Sequence, residues 1–230
     1  MATPTAEPVA EPALDRPARQ RRKQARPQEL IDAALRLFVE RGFAATRMEE
    51  IAALAGVSKG TLYLYYPGKE ELLKAVIRER LSNEIKAVAA ASALHQGAKA
   101  EMLRSLFVQW WLRAFESPAS GVFKLVITEV RAFPEIAEIY DREVVEPGRR
   151  LIGGLLQAGI ATGEFRPVEI EAAVHSLVLP MVMLCVHKHS LGACVPVESL
   201  RDPARFMRQH VDLVVRGLLA TPPAPLRKPR

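Results

Sequence analysis

Between Pro27 and Leu73 apolar residues return at helical spacing, and glycine or proline stands wherever that spacing breaks. This pattern leaves no room for strands and predicts three short helices followed by a longer one. Leu30, Ile31, Ala34, Leu35 and Phe38 form the first stripe, with Pro27 placed for a first turn and Gly42 for a C-cap. Thr46 with Glu49 three residues on reads as a capping box that opens a second helix through Ile51, Ala52 and Leu54. Gly56 ends it, Ser58 opens a third, and Tyr66-Pro67-Gly68 closes that one. The corner Ala55-Gly56-Val57-Ser58 is small enough for two helices to meet steeply, with Val57 buried between them. Many helical proteins carry such a corner, so it defines an arrangement and not yet a function.

The rest of the chain also reads helical. A long helix is expected from about Lys69 to His95, then segments over Glu101–Phe115, around Val122–Ile127, from Pro134 to Ile160, over 168–189 and over 203–220. No alternating β-branched run bounded by turn signals interrupts them. The predicted fold class is all-α, with a three-helix helix-turn-helix unit at 27–73 and a larger helical domain at 74–220. Residues 1–26 and 221–230 are rich in proline, with alanine in the first, and are expected to be disordered.

Forty-nine per cent hydrophobic against 25% charged residues excludes a globally disordered chain. The longest nearly apolar run, Ser176 to Val186, is shorter than a membrane span and holds Pro180. The first 27 residues have no apolar core of a secretory signal, and Cys185 and Cys194 are too few for a disulfide framework. A cytoplasmic protein without membrane partners is therefore expected. The net charge of +6 is unevenly placed. Six basic residues lie within 16–26 (Arg16, Arg19, Arg21, Arg22, Lys23, Arg26), and Arg227, Lys228 and Arg230 lie at the other end. The body between the tails is balanced, 23 basic against 23 acidic side chains.

The stretch from Thr46 to Leu72, TRMEEIAALAGVSKGTLYLYYPGKEEL, closely resembles the tetracycline-repressor (TetR) family. That family's pattern is a Thr opening the second helix, Ile-Ala, Ala-Gly-Val, a Leu-Tyr-x-Tyr/His-Phe recognition helix and Lys-x-x-Leu. The resemblance is strong from about Glu29 to Leu73; Tyr66 stands for the usual Phe and Gly68 for a common Ser or Asn. It implies a homodimeric regulator that binds double-stranded DNA and answers to a small molecule. Tyr63, Tyr65 and Lys69 resemble phosphate-contacting positions. The residue types agree: Gly60 and Thr61 leave the first turn of a groove-bound helix free of bulk, and Thr61 can meet a base edge. Thr46, at a helix start, suits a phosphate, and Arg47 and Lys59 flank the same surface. The basic arm at 16–26 could run along a minor groove or serve only as a solubilising tail.

For the larger domain the resemblance implies that the last two long helices pair with a partner's. Ala173, Leu177 and Leu184 would face Val211, Val215 and Leu218 there, although the same residues would serve an intrachain core. Met102, Phe107, Trp110, Trp111, Phe115, Phe123 and Ile127 could line an apolar effector cavity or simply fill the core. Cys185, His187 and His189 invite a metal-sensing alternative, but His187 points ~200° away from Cys185 on a helix. No metal and no cofactor are expected. Neither a phosphate loop, a nucleophile elbow nor an HExxH pair is present, so an enzyme is not expected. An architectural DNA-binding protein is the rival of another class, and it would not need so large a helical body.

Overall fold

The computed structural model describes residues 16–94, 97–195 and 197–220, and within them nine long or recognisable helices and no strands. The expectations for 1–15 and 221–230 lie outside the described residues. Helix α1 spans Arg16–Arg41, α2 Met48–Leu54 and α3 Lys59–Tyr65. Helix α1 thus begins well before Pro27, which lies inside it, so the disordered arm predicted for 1–26 is corrected over 16–26. Arg, Lys, Gln and Ala, which fill that stretch, are among the better helix formers. Pro27 removes one backbone donor without ending the helix.

Leu30, Ala34, Leu35 and Phe38 of α1, Ile51 and Ala52 of α2, and Leu62 of α3 are buried together. Leu72, Leu73, Val76 and Ile77 close this core from α4 (69–94), which runs as Lys69–Ile77, a π-helical turn Arg78–Ser82 and Asn83–Leu94. The corner between α2 and α3 is made as the residues require. Gly56 takes φ +66, open to glycine at no steric cost, and Val57 N–H donates to Ala52 O (2.9 Å) while Gly56 N–H donates to Ala53 O (3.1 Å). Ser58 then caps α3 by accepting from Thr61 N–H at 3.1 Å.

The larger domain continues with α5 (99–116), whose π-helical turn is Leu103–Phe107, and α6, Ser120–Glu129. Then come α7 (134–161), with a π-helical turn at Asp141–Val145, α8, Ile170–Lys188, and α9, Pro203–Leu218. Glu164 caps α5 from the α7–α8 turn, its carboxylate accepting from Lys99 N–H and Ala100 N–H at 2.8 Å each. Helix α8 is long and apolar enough to cross a membrane, exceeding the run seen in the sequence because flanking turns extend it. Here it is a bundle helix: Val174, Leu177, Met181 and Cys185 are buried against α6, α7 and α9.

The two domains meet along α1 and α6. Gly121 of α6 sits against Val39 of α1 so closely that a Cβ there would lie 2.4 Å from a Val39 methyl. Glu129, at the other end of α6, accepts from Phe43 N–H at 3.3 Å, and Phe43 meets Phe133 edge to face at 4.8 Å. Arg78 of α4 adds an ion pair to Glu143 of α7 at 2.9 Å.

Candidate DNA interface and effector cavity

Helix α3 is anchored by one buried side chain, Leu62, so most of its short length faces outward. Lys59, Gly60, Tyr63 and Leu64 are exposed, and Thr61 and Tyr65 are half-buried. Leu64 is 86% exposed, an apolar side chain on the outermost part of the recognition helix. It was not among the residues singled out from the sequence, although its place almost opposite Leu62 on the helical wheel was a usable signal. Lys59 pairs with Glu49 of α2, and the ammonium holds the Glu49 carboxyl below its ordinary range. Its Nζ also stands 5.8 Å from the Tyr63 ring centre. Arg47 is exposed at the start of α2 and makes no ion pair among the described residues.

Two predicted contacts are turned inward. Arg47, not Thr46, is the N-cap of α2, and its N–H donates to Glu50 at 3.0 Å, one residue later than the predicted box. Thr46 is 2% exposed, and its hydroxyl is held by the Gly42 carbonyl at 2.8 Å and the Leu37 carbonyl at 3.2 Å. A buried hydroxyl committed to the end of α1 cannot also reach a phosphate. Lys69 is half-buried; its ammonium donates to Ala44 O (3.0 Å) and Thr46 O (3.1 Å) and lies 4.6 Å from the Phe43 ring centre. Lysine at a helix start opposes the helix dipole. Here two loop carbonyls offset that cost, so Lys69 ties the α1–α2 loop to α4.

A cavity of about 290 Å³ lies among α4, α5, α6, α7 and α8. Met102, Phe107, Trp110, Trp111, Phe123 and Ile127 all line it. Phe115 does not. It is one turn beyond Trp111, where Lys188 of α8 reaches across, donating to the Phe115 carbonyl and sitting 4.6 Å over its ring. The sequence missed the walls from α7 and α8, among them Tyr140, Val144, Ile152, Val178 and Val182, because nothing in a helical stripe tells which neighbour it meets. Burial raises the Tyr140 phenol above its ordinary value, keeping it a proton donor. The indole Nε1–H of Trp111 is buried and has no hydrogen-bond partner among the described residues.

The residues expected at a dimer interface, Ala173, Leu177, Leu184, Val211, Val215 and Leu218, are all buried within the single chain. That expectation is corrected: this face of α8 packs on α9 of the same chain. The opposite face carries exposed Leu179 and Met183 on α8 and Leu213 on α9. Helix α8 is apolar nearly all round, so periodicity could not choose between its faces. As for metal, no group of three or more His, Cys, Asp or Glu side chains among the described residues could hold an ion. Burial pushes the Cys185 thiol up to about 12, and His189 is engaged with the Ser120 hydroxyl at 2.8 Å.

An all-helical chain with an exposed recognition helix on a glycine corner and a cavity in a second domain is the architecture of a helix-turn-helix regulator. The family model described as "Bacterial regulatory proteins, tetR family" matches residues 30–76, and the "Tetracyclin repressor-like, C-terminal domain" model matches 97–192. The transcriptional repressor KstR2 of Rhodococcus jostii is 29% identical over 201 residues, 85% of this chain and 92% of that protein. The transcriptional regulator YfiR of Bacillus subtilis is 30% identical over 166 residues, 69% of this chain and 77% of that one. In fold, the chain is similar to the FadR regulator of Bacillus subtilis solved with stearoyl-CoA. The TM-score there is 0.66 at 21% identity, covering 83% of this chain and 98% of that one. The chain belongs to the TetR family of transcriptional regulators.

Proposed function

We propose that this regulator is a homodimeric, cytoplasmic repressor that leaves a palindromic operator when a small, mainly apolar effector fills the cavity. The observation that carries the reading is the course of α6. It contributes Phe123 and Ile127 to the cavity wall, and it touches α1 of the DNA-binding unit through Gly121 and the loop after α1 through Glu129. A ligand that moves α6 therefore bears on the helix against which α2 is packed, and α2 in turn holds α3; by linkage DNA and ligand oppose each other equally. DNA contacts are assigned to Arg47, Lys59, Gly60, Thr61, Tyr63, Tyr65 and the adjoining Leu64. Lys69 acts chiefly by holding the loop before α2, and the basic residues of 16–26 add affinity that falls with salt.

Dimerisation is assigned to the outward face of α8 and α9. Leu179, which also borders the cavity, Met183 and Leu213 are exposed apolar side chains there that a twofold partner would cover. Pairing is needed mechanically, since two recognition helices must lie ~34–36 Å apart to read successive major grooves. That FadR was solved with stearoyl-CoA lends support to an effector with an apolar body.

The test is selection of bound duplexes from random DNA, followed by footprinting and sedimentation. The reading expects an inverted repeat, a discrete footprint and a dimer that Leu213→Arg converts to monomer. Uniform coating of DNA, or a chain that remains monomeric on its selected site, would refute it.

A further inference from the structure

Among the described residues the polar side chains that line the cavity are Ser92, Trp110, Trp111, Tyr140, Arg149 and His175; Arg149 and His175 are exposed, and Trp111 is the most buried of the neutral donors. Trp111 lines the cavity and is 3% exposed, and its buried N–H has no partner among the described residues, which is costly for a buried donor. The Tyr140 hydroxyl shares that wall, stays protonated because of its burial, and has no hydrogen-bond partner among the described residues. Arg149 is the one permanently charged lining residue among the described residues, and its guanidinium is already divided between Glu146 and Glu171. Among the described residues an enclosed carboxylate or phosphate would find no uncommitted guanidinium or ammonium, and His175, the other basic side chain of the lining, is exposed. A quaternary ammonium fares no better. Among the described residues no carboxylate lines the cavity, and the aromatic rings face one another: Trp111 lies 5.5 Å from Phe123 at 32°, and Trp110 meets Trp111 at 4.7 Å edge to face.

We infer, resting on the effector reading above, that the ligand is an uncharged and mainly apolar molecule bearing a carbonyl or ether oxygen. That oxygen accepts from Trp111 Nε1–H or Tyr140 O–H. A cavity of about 290 Å³ holds roughly ten waters' worth of liquid, so the enclosed part of the ligand has on the order of ten to fifteen non-hydrogen atoms. A larger molecule enters only in part.

The test uses four probes of comparable size on the full chain: fluorene, fluorenone, fluorene carboxylate and benzyltrimethylammonium. Trp110 and Trp111 are the chain's two tryptophans and both line the cavity, so quenching of intrinsic fluorescence reports occupancy, with calorimetry as a second readout. Fluorenone is expected to bind about tenfold more tightly than fluorene, the effect of one neutral hydrogen bond that satisfies an orphan donor. The charged probes are expected to bind more weakly than fluorene. The ketone's advantage should fall to less than about twofold in Trp111→Phe or in Tyr140→Phe. Equal binding of fluorene and fluorenone to the unaltered chain overturns the acceptor and leaves the apolar effector cavity standing. A ketone advantage that survives both substitutions overturns the assigned donors, and tighter binding of either charged probe overturns the charge argument. Failure of all four to bind overturns both this inference and the effector reading.

Discussion

Replacing Gly121 by alanine tests the joint between the two domains. The added Cβ would lie 2.4 and 2.8 Å from the two Val39 methyls and 3.2 Å from the Val39 Cβ. Carbon atoms rest at about 3.5–4.0 Å, so the overlap is about 1 Å. Valine in a helix has essentially one side-chain rotamer, so Val39 cannot swing aside and α1 must move relative to α6. Overpacking of this kind costs about 1–3 kcal/mol, against which alanine gains about 1 kcal/mol over glycine in helix propensity. The net expectation is a loss of about 1 kcal/mol, read as a melting temperature lower by roughly 2–4 °C at fixed protomer concentration. Val39→Ala removes both methyls. In the double variant the overlap with the methyls is gone, the 3.2 Å approach of the two Cβ atoms needs only a small shift, and the propensity gain remains, giving a favourable coupling of about 1–3 kcal/mol in urea unfolding. Since α6 also lines the cavity, the single variant should alter the ratio of DNA affinities with and without effector, and the double variant should restore it. Strict additivity within about 0.5 kcal/mol would show that the helices do not bear on each other there.

Four further outcomes are expected. Leu64→Ala should leave the melting temperature unchanged, because the side chain is exposed, and weaken binding to the selected operator by roughly fivefold, about 1 kcal/mol. Replacing thymine by uracil in the duplex should remove that difference if Leu64 packs on a thymine methyl. Lys69→Met should lower stability by about 1.5–3 kcal/mol in urea unfolding through loss of charge-assisted bonds to Ala44 and Thr46. An unchanged stability with lost DNA binding would instead assign Lys69 to phosphate alone. A thiol reagent at mild alkaline pH should modify Cys194 rapidly and Cys185 only after unfolding, since Cys185 is buried and Cys194 exposed. Below pH 9 the Cys185 thiol is protonated in both states. From there to about 12 the unfolded chain releases its proton first, so stability falls with rising pH, and less so in Cys185→Ala.

What was legible in the sequence was local. The corner at Gly56 depends on one residue that tolerates positive φ and on a cap three residues before Thr61, and both leave signatures in four or five consecutive letters. The aromatic cluster on α5 was legible for a related reason, since Phe107, Trp110 and Trp111 share one helix face. Capping by Thr46 was misplaced by one residue because a threonine before a helix serves equally well as a cap or as a buried tie. Choosing between them requires knowing that α1 ends beside it. Helix α1 was begun too late because Pro27 is compatible with either a first turn or an interior position.

The sequence by itself determined the family, the all-helical class and the helix-turn-helix unit at the N-terminal side. Those follow from backbone preferences and from periodicities confined to single helices. Tertiary structure decided which face of α8 is core and which is free, that Lys69 is a clamp, and that α7 and α8 complete the cavity walls. It also set α6 between that cavity and α1, with Gly121 at the point of contact. The reason is geometric: a helix that is apolar on two faces, or a glycine that permits close approach, acquires its role only from the neighbour packed against it.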